Sequence, residues 1–302
     1  MYIVPDQTGR RVIVTGANSG TGREAAQRLA GAGAEVVIAV RDAEKGEAAR
    51  RDILNLHPDA DLEVRVLDLA DLTSVRTFAG SIEADGRLDV LINNAGVMVP
   101  PKRMTTADGF ELQLGTNFLG PFALTIRLLP VLLQSAAPRV VTMSSMTANF
   151  GRIHFDDLHS LAHYRPGRAY SQSKRADLMM GVHLATIANE RDWPLLSTIA
   201  HPGYTRTNLQ TAGRNLARDK PLSPIRRTVL PSQSPAEGTE PLLFAAADPD
   251  AAQGAYYGPS AWGGLVGPPV RIDLPRSARG VDLPASVWAI GESLTGERLP
   301  PS

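Results

Sequence analysis

The chain has 302 residues, and its 31 Lys and Arg residues balance 31 Asp and Glu residues, so the formal net charge is zero. Without a basic excess, neither nucleic acid nor an anionic membrane is expected as the main partner. The absence of cysteine excludes disulfides, thiolate metal sites and cysteine nucleophiles. We find no apolar run of roughly 18 residues and no signal-peptide pattern, and we therefore expect a cytoplasmic protein without a membrane span.

Short β-branched runs alternate with longer helical patterns along most of the chain. The predicted strands are Arg11–Thr15, Glu35–Val40, Leu62–Leu67, Leu88–Ile92, Arg139–Met143, Leu195–Ala200 and a short one at about Ala255–Tyr257. The predicted helices are Gly20 to about Ala32, Ala43 to about Leu56, one capped by Asp71, Thr106–Leu133, Arg168–Asn189 and about Pro235–Ala247. Apolar strands alternating with helices predict an α/β fold: a doubly wound parallel sheet of about seven strands with helices on both faces. Ligands would then bind beyond the carboxyl ends of the strands.

We predict a single domain over residues 1–262, followed by an irregular tail over residues 263–302 that packs on the same domain. The tail is rich in Pro and Gly and carries a few apolar anchors, among them Val287, Trp288 and Ile290. Two long loops, at about 149–168 and 205–235, interrupt the rhythm of strands and helices. Loops of this length in a compact domain are usually functional or mobile, so we expect substrate contacts there.

A glycine-rich segment, Thr15-Gly16-Ala17-Asn18-Ser19-Gly20-Thr21-Gly22, joins the first strand to the first helix. Glycines allow close approach of the backbone, and a helix N-terminus offers free N–H groups to a pyrophosphate. A lone glycine pattern is weak, since it also suits an ordinary turn. Its position at the first strand–helix junction of a doubly wound fold favours a dinucleotide site.

The end of the second strand predicts which dinucleotide binds. An acid there would accept from the ribose 2′-OH of NAD, whereas an arginine suits the 2′-phosphate of NADP. Val40 stands where the acid is expected and Arg41 follows it, so NADP(H) is favoured over NAD(H). Asp42, which follows directly, complicates this prediction. In the alternative interpretation, Arg41 is a solvated cation at the end of the strand and Asp42 is the N-cap of the next helix.

Tyr170 and Lys174 are four residues apart in a predicted helix and therefore share one face. A nearby ammonium lowers the pKa of a tyrosine toward neutral pH, which suits proton transfer to and from a carbonyl or alcohol oxygen. Ser144 and Ser145 end the fifth strand on the same edge of the sheet, where a hydroxyl could hold a substrate oxygen. Each of these features is common by chance, and their order on this scaffold is what gives them weight.

Together the motifs resemble the short-chain dehydrogenase/reductase family over about residues 10–260. They are TGANSGTG at 15–22, Asp68-Leu69, NNAG at 93–96, Asn117, Ser145, YSQSK at 170–174 and HPGYTRT at 201–207. The loop ANSG, the sequence Val40-Arg41-Asp42 and the 25-residue interval from Ser145 to Tyr170 look like the retinol-dehydrogenase and protochlorophyllide-reductase-like branch, which mostly uses NADP(H). The resemblance implies a Rossmann-like fold.

The resemblance also implies residue roles. Tyr170 would be the general acid in reduction and the base in oxidation, Lys174 would lower its pKa and bond the nicotinamide ribose, Ser145 would position the substrate oxygen, and Asn117 would support a water in the proton relay. The predicted cofactor-binding residues are Gly16, Asn18, Ser19, Gly20, Thr21, Gly22, Arg41, Asp68, Leu69, Asn94, Ala95, Gly96, Tyr170, Lys174, Pro202, Gly203 and Thr205. Thr21 stands where the family usually has Ile, which we interpret as a packing change.

The sequence therefore predicts an NADP(H)-dependent oxidoreductase that transfers a hydride between nicotinamide and a carbonyl or secondary alcohol of a small apolar substrate. Two alternatives stay open: an NADPH-dependent C=C reductase, and a nucleotide-binding sensor that has no redox activity. We expect no metal site, although His154, His159 and His163 lie close in sequence. A homodimer or homotetramer is possible within the family.

Overall fold

The computed structural model describes residues 1–207, 209–216 and 230–299. Within these residues eight strands form one sheet in the order β3-β2-β1-β4-β5-β6-β7-β8. They are β1 (Arg11–Thr15), β2 (Glu35–Val40), β3 (Leu62–Val66), β4 (Val90–Asn93), β5 (Arg139–Met143), β6 (Leu196–Ala200), β7 (Tyr256–Ala261) and β8 (Val266–Ile272). Strands β1 to β7 pair in parallel, and β8 pairs antiparallel with β7.

Helices cover both faces of this sheet. They are α1 (Gly20–Gly31), α2 (Ala43–Leu54), α3 (Leu72–Asp85), α4 (Leu112–Leu114), α5 (Gly120–Leu132), α6 (Pro166–Glu190), α7 (Leu209–Asn215), α8 (Pro235–Ala247) and α9 (Asp282–Thr295). One core packs α1, α2 and α8 against the sheet, and the other packs α3, α5, α6 and α9 against the opposite face. The predicted doubly wound architecture is confirmed, with eight strands in place of about seven.

The strand order fixes where a ligand can enter. The chain runs from β1 outward to β3 on one side, and then returns to β4 on the other side of β1. Loops that follow β1 and β4 therefore diverge at the carboxyl edge, and a crevice opens between them. β1 is buried along its whole length, so this edge is held by a rigid core.

The prediction of an irregular tail is wrong for most of residues 263–302, because they form β8 and α9. Pro268 and Pro269 made this segment look unstructured, but β8 is an edge strand, where proline is tolerated. Trp288 of α9 packs edge-on against Phe122 of α5, with ring centroids 4.9 Å apart. The tail thus completes the core on the α5–α6 side.

The helix predicted from Thr106 begins six residues later, at Leu112. Residues before it form a turn in which Thr106 N donates to Phe110 O at 2.9 Å, and the buried Glu111 side chain caps the helix by accepting from the backbone of Gln113 and Leu114. Between α4 and α5 the helix widens into a π-helical turn, Gly115–Leu119. Parts of the predicted 205–235 loop, residues 208 and 217–229, lie outside the described residues.

The continuous helix Leu112–Leu132 is long and apolar enough to cross a membrane, with a mean hydropathy of 1.2. The sequence analysis found no apolar run of this length, because polar residues such as Gln113, Asn117 and Arg127 interrupt the stretch. In the fold, 83% of this stretch is buried inside the protein. The helix accordingly serves as a core helix, and its apolar composition is explained by packing.

Candidate active site

A cavity of about 820 Å³ opens at the carboxyl edge of the sheet. Nearly all sequence-predicted site residues line it. They are Gly16, Asn18, Ser19, Gly20, Thr21, Arg41, Asp68, Leu69, Asn94, Ala95, Gly96, Ser145, Tyr170, Lys174, Pro202, Gly203 and Thr205. Gly22 and Asn117 are not among the lining residues, and both lie behind the wall. The fold therefore brings distant motifs to one cavity.

The glycine-rich segment is held against the end of β4 by hydrogen bonds. Asn94 Nδ2 donates to Thr15 O at 2.9 Å, and Thr21 Oγ1 donates to Asn94 Oδ1 at 2.9 Å. Thr21 is thus more than the packing change that the sequence suggested. Gly22 leaves no room for a side chain, since a Cβ there would lie 2.4 Å from Asn94 Nδ2.

The N-terminus of α1 faces this cavity. Its N-cap residue, Ser19, makes no side-chain capping hydrogen bond, and Ser19, Gly20 and Thr21 all line the cavity. Backbone N–H groups of a first helical turn have no partner within the helix and lie at the positive end of its dipole. This end of the cavity is suited to an anionic group such as a pyrophosphate.

The exposed side chain of Arg41 lies farther along the same cavity. Asp42 caps α2 by accepting from Lys45 N at 3.1 Å, and its second oxygen pairs with Lys45 Nζ at 2.9 Å. Asp42 is therefore engaged with Lys45, and Arg41 forms no ion pair within the described part of the chain. Such an arginine is available to a second anionic group.

Tyr170, Lys174 and Ser145 all line the cavity. Lys174 Nζ donates to Met143 O at 2.9 Å and to Asp177 Oδ2 at 2.8 Å. Ser145 caps the short 3₁₀ turn Met146–Asn149 through a 3.3 Å hydrogen bond from Thr147 N. Ser144 also lines the cavity, but its Oγ donates to Lys174 O at 2.8 Å, whereas the side chain of Ser145 is hydrogen-bonded to Tyr170.

The pKa of Tyr170 is raised, contrary to the direction predicted from the sequence. Burial is the largest cause, and the charge of Asp177 acts in the same direction. The ammonium of Lys174 and the hydrogen bond with Ser145 lower the pKa but do not outweigh burial. The sequence argument included Lys174 and omitted both burial and Asp177. At neutral pH the phenol is therefore protonated and can donate a proton.

Asn117 lies in the π-helical turn, a distortion that is frequent at functional sites. Its Nδ2 donates to Val97 O at 3.0 Å and to Ser173 Oγ at 2.8 Å, and its Oδ1 accepts from Val97 N at 2.7 Å. These bonds join the segment after β4 to α6. Asn117 thus braces the wall next to Lys174 and does not itself contact the cavity.

His201 lies directly before Pro202 and Gly203, which line the cavity, and shapes the turn that they form. It is buried, and its Nδ1 accepts from Gly203 N at 3.1 Å. Desolvation lowers the pKa of His201 to about 4, so it is neutral at physiological pH. The sequence-based interpretation of His201 as a turn-forming residue is confirmed.

The remaining wall is apolar, and the sequence analysis identified only its part in the 205–235 loop, Leu209 and Leu216, as a place of substrate contact. The residues of this wall are Met98, Val99, Met104, Leu112, Met146, Leu209, Leu216 and Leu265. Helix α7 approaches this wall very closely, since a Cβ on Gly213 would lie 1.8 Å from Met98 O. No local sequence signal marks such residues, because apolar side chains in loops become a wall only once the loops are folded together.

The three neighbouring histidines are engaged with other groups or separated. His159 Nδ1 accepts from Glu111 N at 3.3 Å, and His154 contacts the guanidinium of Arg168. Across residues 1–207, 209–216 and 230–299, no group of three His, Asp or Glu side chains could hold a metal ion. His154 and His159 thus hold parts of the loop beside the cavity in place.

Comparison with known proteins relates this geometry to known folds and activities. The sequence profile of the short chain dehydrogenases matches residues 10–216. The chain is 39% identical to polyprenol dehydrogenase of Mus musculus, over 97% of this chain and 86% of that protein. It is 47% identical to retinol dehydrogenase 11 of Mus musculus, over 67% of this chain and 63% of that protein's length.

Solved structures show the same similarity. A crystal structure from Mycobacterium paratuberculosis superposes with a TM-score of 0.81, at 40% identity and covering 99% of this chain and 97% of that one. A short chain dehydrogenase from Shigella flexneri, solved in complex with NADP, gives a TM-score of 0.63 at 27% identity, over 85% of this chain and 98% of that chain. The matched residues 10–216 contain every described residue that lines the cavity except Leu265.

Proposed function

The chain belongs to the short-chain dehydrogenase family, and we propose that it is an NADP(H)-dependent oxidoreductase that interconverts a carbonyl and a secondary alcohol on an apolar substrate. One observation carries this proposal. One cavity holds a helix N-terminus suited to an anion, an arginine that makes no ion pair among the described residues, and the Ser145–Tyr170–Lys174 group. A nucleotide sensor without redox activity would not need the last of these features.

NADP(H) is favoured over NAD(H) by the position of Arg41. Asp42, the residue that could compete for a ribose hydroxyl, is bound to Lys45. Arg41 then offers a planar donor group to a 2′-phosphate. The Shigella flexneri relative was solved with NADP, and a similar Escherichia coli short chain dehydrogenase was solved with NADPH.

The bound nicotinamide would supply or accept the hydride. In the direction of reduction, Tyr170 donates its phenolic proton to the substrate oxygen as negative charge develops there. Ser145 holds the same oxygen by a hydrogen bond. Lys174 stabilises the phenolate that remains, because its ammonium lowers the pKa of Tyr170. In the direction of oxidation the same groups act in reverse.

The apolar wall supports an apolar substrate. Met98, Met104 and Met146 lie on it, and methionine adapts its shape to bulky or flexible ligands. The named relatives are dehydrogenases of polyprenol and of retinol. We propose a substrate of this general chemistry, an apolar chain that ends in an alcohol or carbonyl. The cytoplasmic location and a dimeric or tetrameric state remain predictions.

The test is an activity screen of apolar alcohols and carbonyl compounds with NADPH, NADP and NADH, monitored by the nicotinamide absorbance. Wild-type protein is expected to turn over at least one such compound with NADP(H). Tyr170→Phe is expected to lose the activity by about 10²-fold or more, in line with loss of a general acid. Tyr257→Phe is the matched control, because Tyr257 is buried in β7 and does not line the cavity.

Two outcomes would contradict the proposal. Turnover that survives Tyr170→Phe would show that Tyr170 is not the general acid of the reaction. Reduction of a C=C bond with the carbonyl left intact would favour the C=C reductase over the carbonyl reductase.

A further inference from the structure

A buried carboxylate lies against Lys174 that the proposed reaction does not use. Asp177 follows Lys174 by three residues in α6, and its Oδ2 lies 2.8 Å from Lys174 Nζ. The Lys174 side chain is 4% exposed and that of Asp177 is 1% exposed. Within the described residues Asp177 Oδ1 has no hydrogen-bond partner. Burial of such a pair is costly and often contributes nothing to stability, so stability alone does not explain its presence.

The ion pair determines where the ammonium lies. An ammonium has three N–H donors, and Lys174 uses one for Met143 O and one for Asp177 Oδ2. The first bond ties it to the end of β5, and the second ties it to α6. Lys174 also lines the cavity, and a Cβ on Gly96 would be 3.6 Å from its Nζ. One N–H therefore remains for the cavity, at a position that the other two bonds define.

We propose that Asp177 is a positioning residue of this site, whose carboxylate keeps Lys174 charged and immobile on the cavity wall. The inference rests on the proposed function, because the charge of Lys174 acts on the reaction only if Tyr170 transfers a proton. A buried lysine without a counter-ion tends to lose its proton. A neutral amine would no longer stabilise a phenolate.

The charges around the pair agree with this role. Among the described residues, the titratable groups whose charge acts on Lys174 are Asp177 and Tyr170, and Asp177 raises the pKa of Lys174 against the effect of burial. Burial raises the pKa of Tyr256 in β7, and the charge of Tyr170 acts in the same direction. Arg175 is directed elsewhere, since its Nη1 donates to Ala148 O at 2.7 Å. Asp177 is therefore the counter-ion of Lys174.

Asp177 also affects the tyrosine. Its negative charge raises the pKa of Tyr170, while the ammonium lowers it. The net charge of the Lys174–Asp177 pair thus stays close to zero, and the phenol of Tyr170 stays protonated at neutral pH. This arrangement favours Tyr170 as a proton donor, as reduction requires.

The chain offers a direct test, because it contains only four lysines, Lys45, Lys102, Lys174 and Lys220. Protein labelled with ¹³C and ¹⁵N in lysine gives few side-chain signals, and Lys174→Met assigns the signal of Lys174. In Asp177→Asn, which preserves size and one acceptor oxygen, Lys174 is expected to lose its proton about 1–3 pH units lower than in the wild type. Glu240→Gln is the control, since it removes a buried carboxylate on the opposite face of the sheet.

An unchanged Lys174 titration in Asp177→Asn would overturn the proposal. If that variant does not fold, the wild type decides alone: Asp177 Oδ2 lies 2.8 Å from Lys174 Nζ and raises the pKa of Lys174 against the effect of burial, so the signal should remain that of an ammonium at neutral and mildly alkaline pH. A neutral Lys174 amine in that range would also overturn the proposal.

Kinetics separate this inference from the proposed function. In Asp177→Asn the alkaline limb of the kcat/KM profile for carbonyl reduction is expected at lower pH than in the wild type. The kcat is expected to fall by a larger factor than the KM for the carbonyl substrate changes. An equal pH profile would contradict the positioning role. A shifted Lys174 titration in a protein that reduces no carbonyl would instead refute the proposed function and leave the ion pair established.

Discussion

Gly22, which lies behind the glycine-rich wall of the cavity, has no room for a side chain. A Cβ there would lie 2.4 Å from Asn94 Nδ2 and 2.5 Å from Gly16 O, and the first approach must lengthen by about 1 Å to reach the ordinary contact of 3.4 Å. Movement of Asn94 breaks its hydrogen bonds to Thr15 O and Thr21 Oγ1. Gly22→Ala should therefore disturb the whole glycine-rich segment.

The magnitude follows from these contacts. Overpacking costs about 1–3 kcal/mol and each lost hydrogen bond about 0.5–1.5 kcal/mol, whereas alanine regains about 1 kcal/mol of helix propensity. We expect a net loss of about 1–5 kcal/mol in the free energy of unfolding, which lowers Tm by several degrees. NADPH affinity should fall by about 10-fold or more, because the glycine-rich segment is distorted. A tenfold loss corresponds to about 1.4 kcal/mol of binding free energy.

Gly80→Ala supplies the matched control. Gly80 is also a helical glycine, in α3, and nothing lies within 4 Å of a Cβ built on it. It should gain up to about 1 kcal/mol and about 2–4 °C in Tm, with unchanged NADPH binding. Thermal unfolding and fluorescence titration with NADPH measure both quantities. The argument fails if Gly22→Ala melts at or above the wild type and binds NADPH equally well.

Three further outcomes are expected. Arg41→Ala should weaken NADPH binding by about 10–100-fold and leave NADH binding unchanged, because hydrogen bonds to charged groups contribute about 1.5–3 kcal/mol; equal losses for both nucleotides in titrations would contradict the 2′-phosphate contact. Thr21→Val should cost about 0.5–1.5 kcal/mol in urea unfolding through its lost bond to Asn94, and no loss would restore the packing interpretation. Burial lowers the pKa of His201 to about 4, so the unfolded chain gains a proton before the folded one, and stability from this group is lost as pH falls from about 6.5 toward 4. His201→Asn, which keeps an acceptor for Gly203 N, should weaken that pH dependence by up to about 3 kcal/mol in denaturant titrations at several pH values, and an identical pH dependence would refute it.

Patterns of local origin predicted most of the fold. The apolar runs of β1 and β2 and the glycines that follow β1 depend on neighbours in sequence, and the structure places these strands within a residue of the expected bounds. The edge strand β8 was missed, since Pro268 and Pro269 are compatible with a strand only at a sheet edge. Whether a segment reaches an edge depends on the whole sheet and cannot be inferred locally.

The candidate site likewise contains features that neighbours in sequence determine and features that depend on the packed fold. Lys174 is four residues from Tyr170, so their common face could be predicted from helix geometry. The pKa of Tyr170 depends on burial and on Asp177, and burial is a property of the packed core. Asp177 was visible in the sequence three residues after Lys174 and could have been considered as its partner. The apolar wall around Met98 had no such signal.

Transfer of deuterium from NADPH labelled at the nicotinamide C4 tests the account most directly. Wild-type protein is incubated with an apolar carbonyl substrate found in the screen, and mass spectrometry locates the label in the product. The account predicts deuterium on the former carbonyl carbon, with turnover lost in Tyr170→Phe and kept in Tyr257→Phe. Deuterium on an alkene carbon, or label transfer that is as fast in Tyr170→Phe, would contradict it.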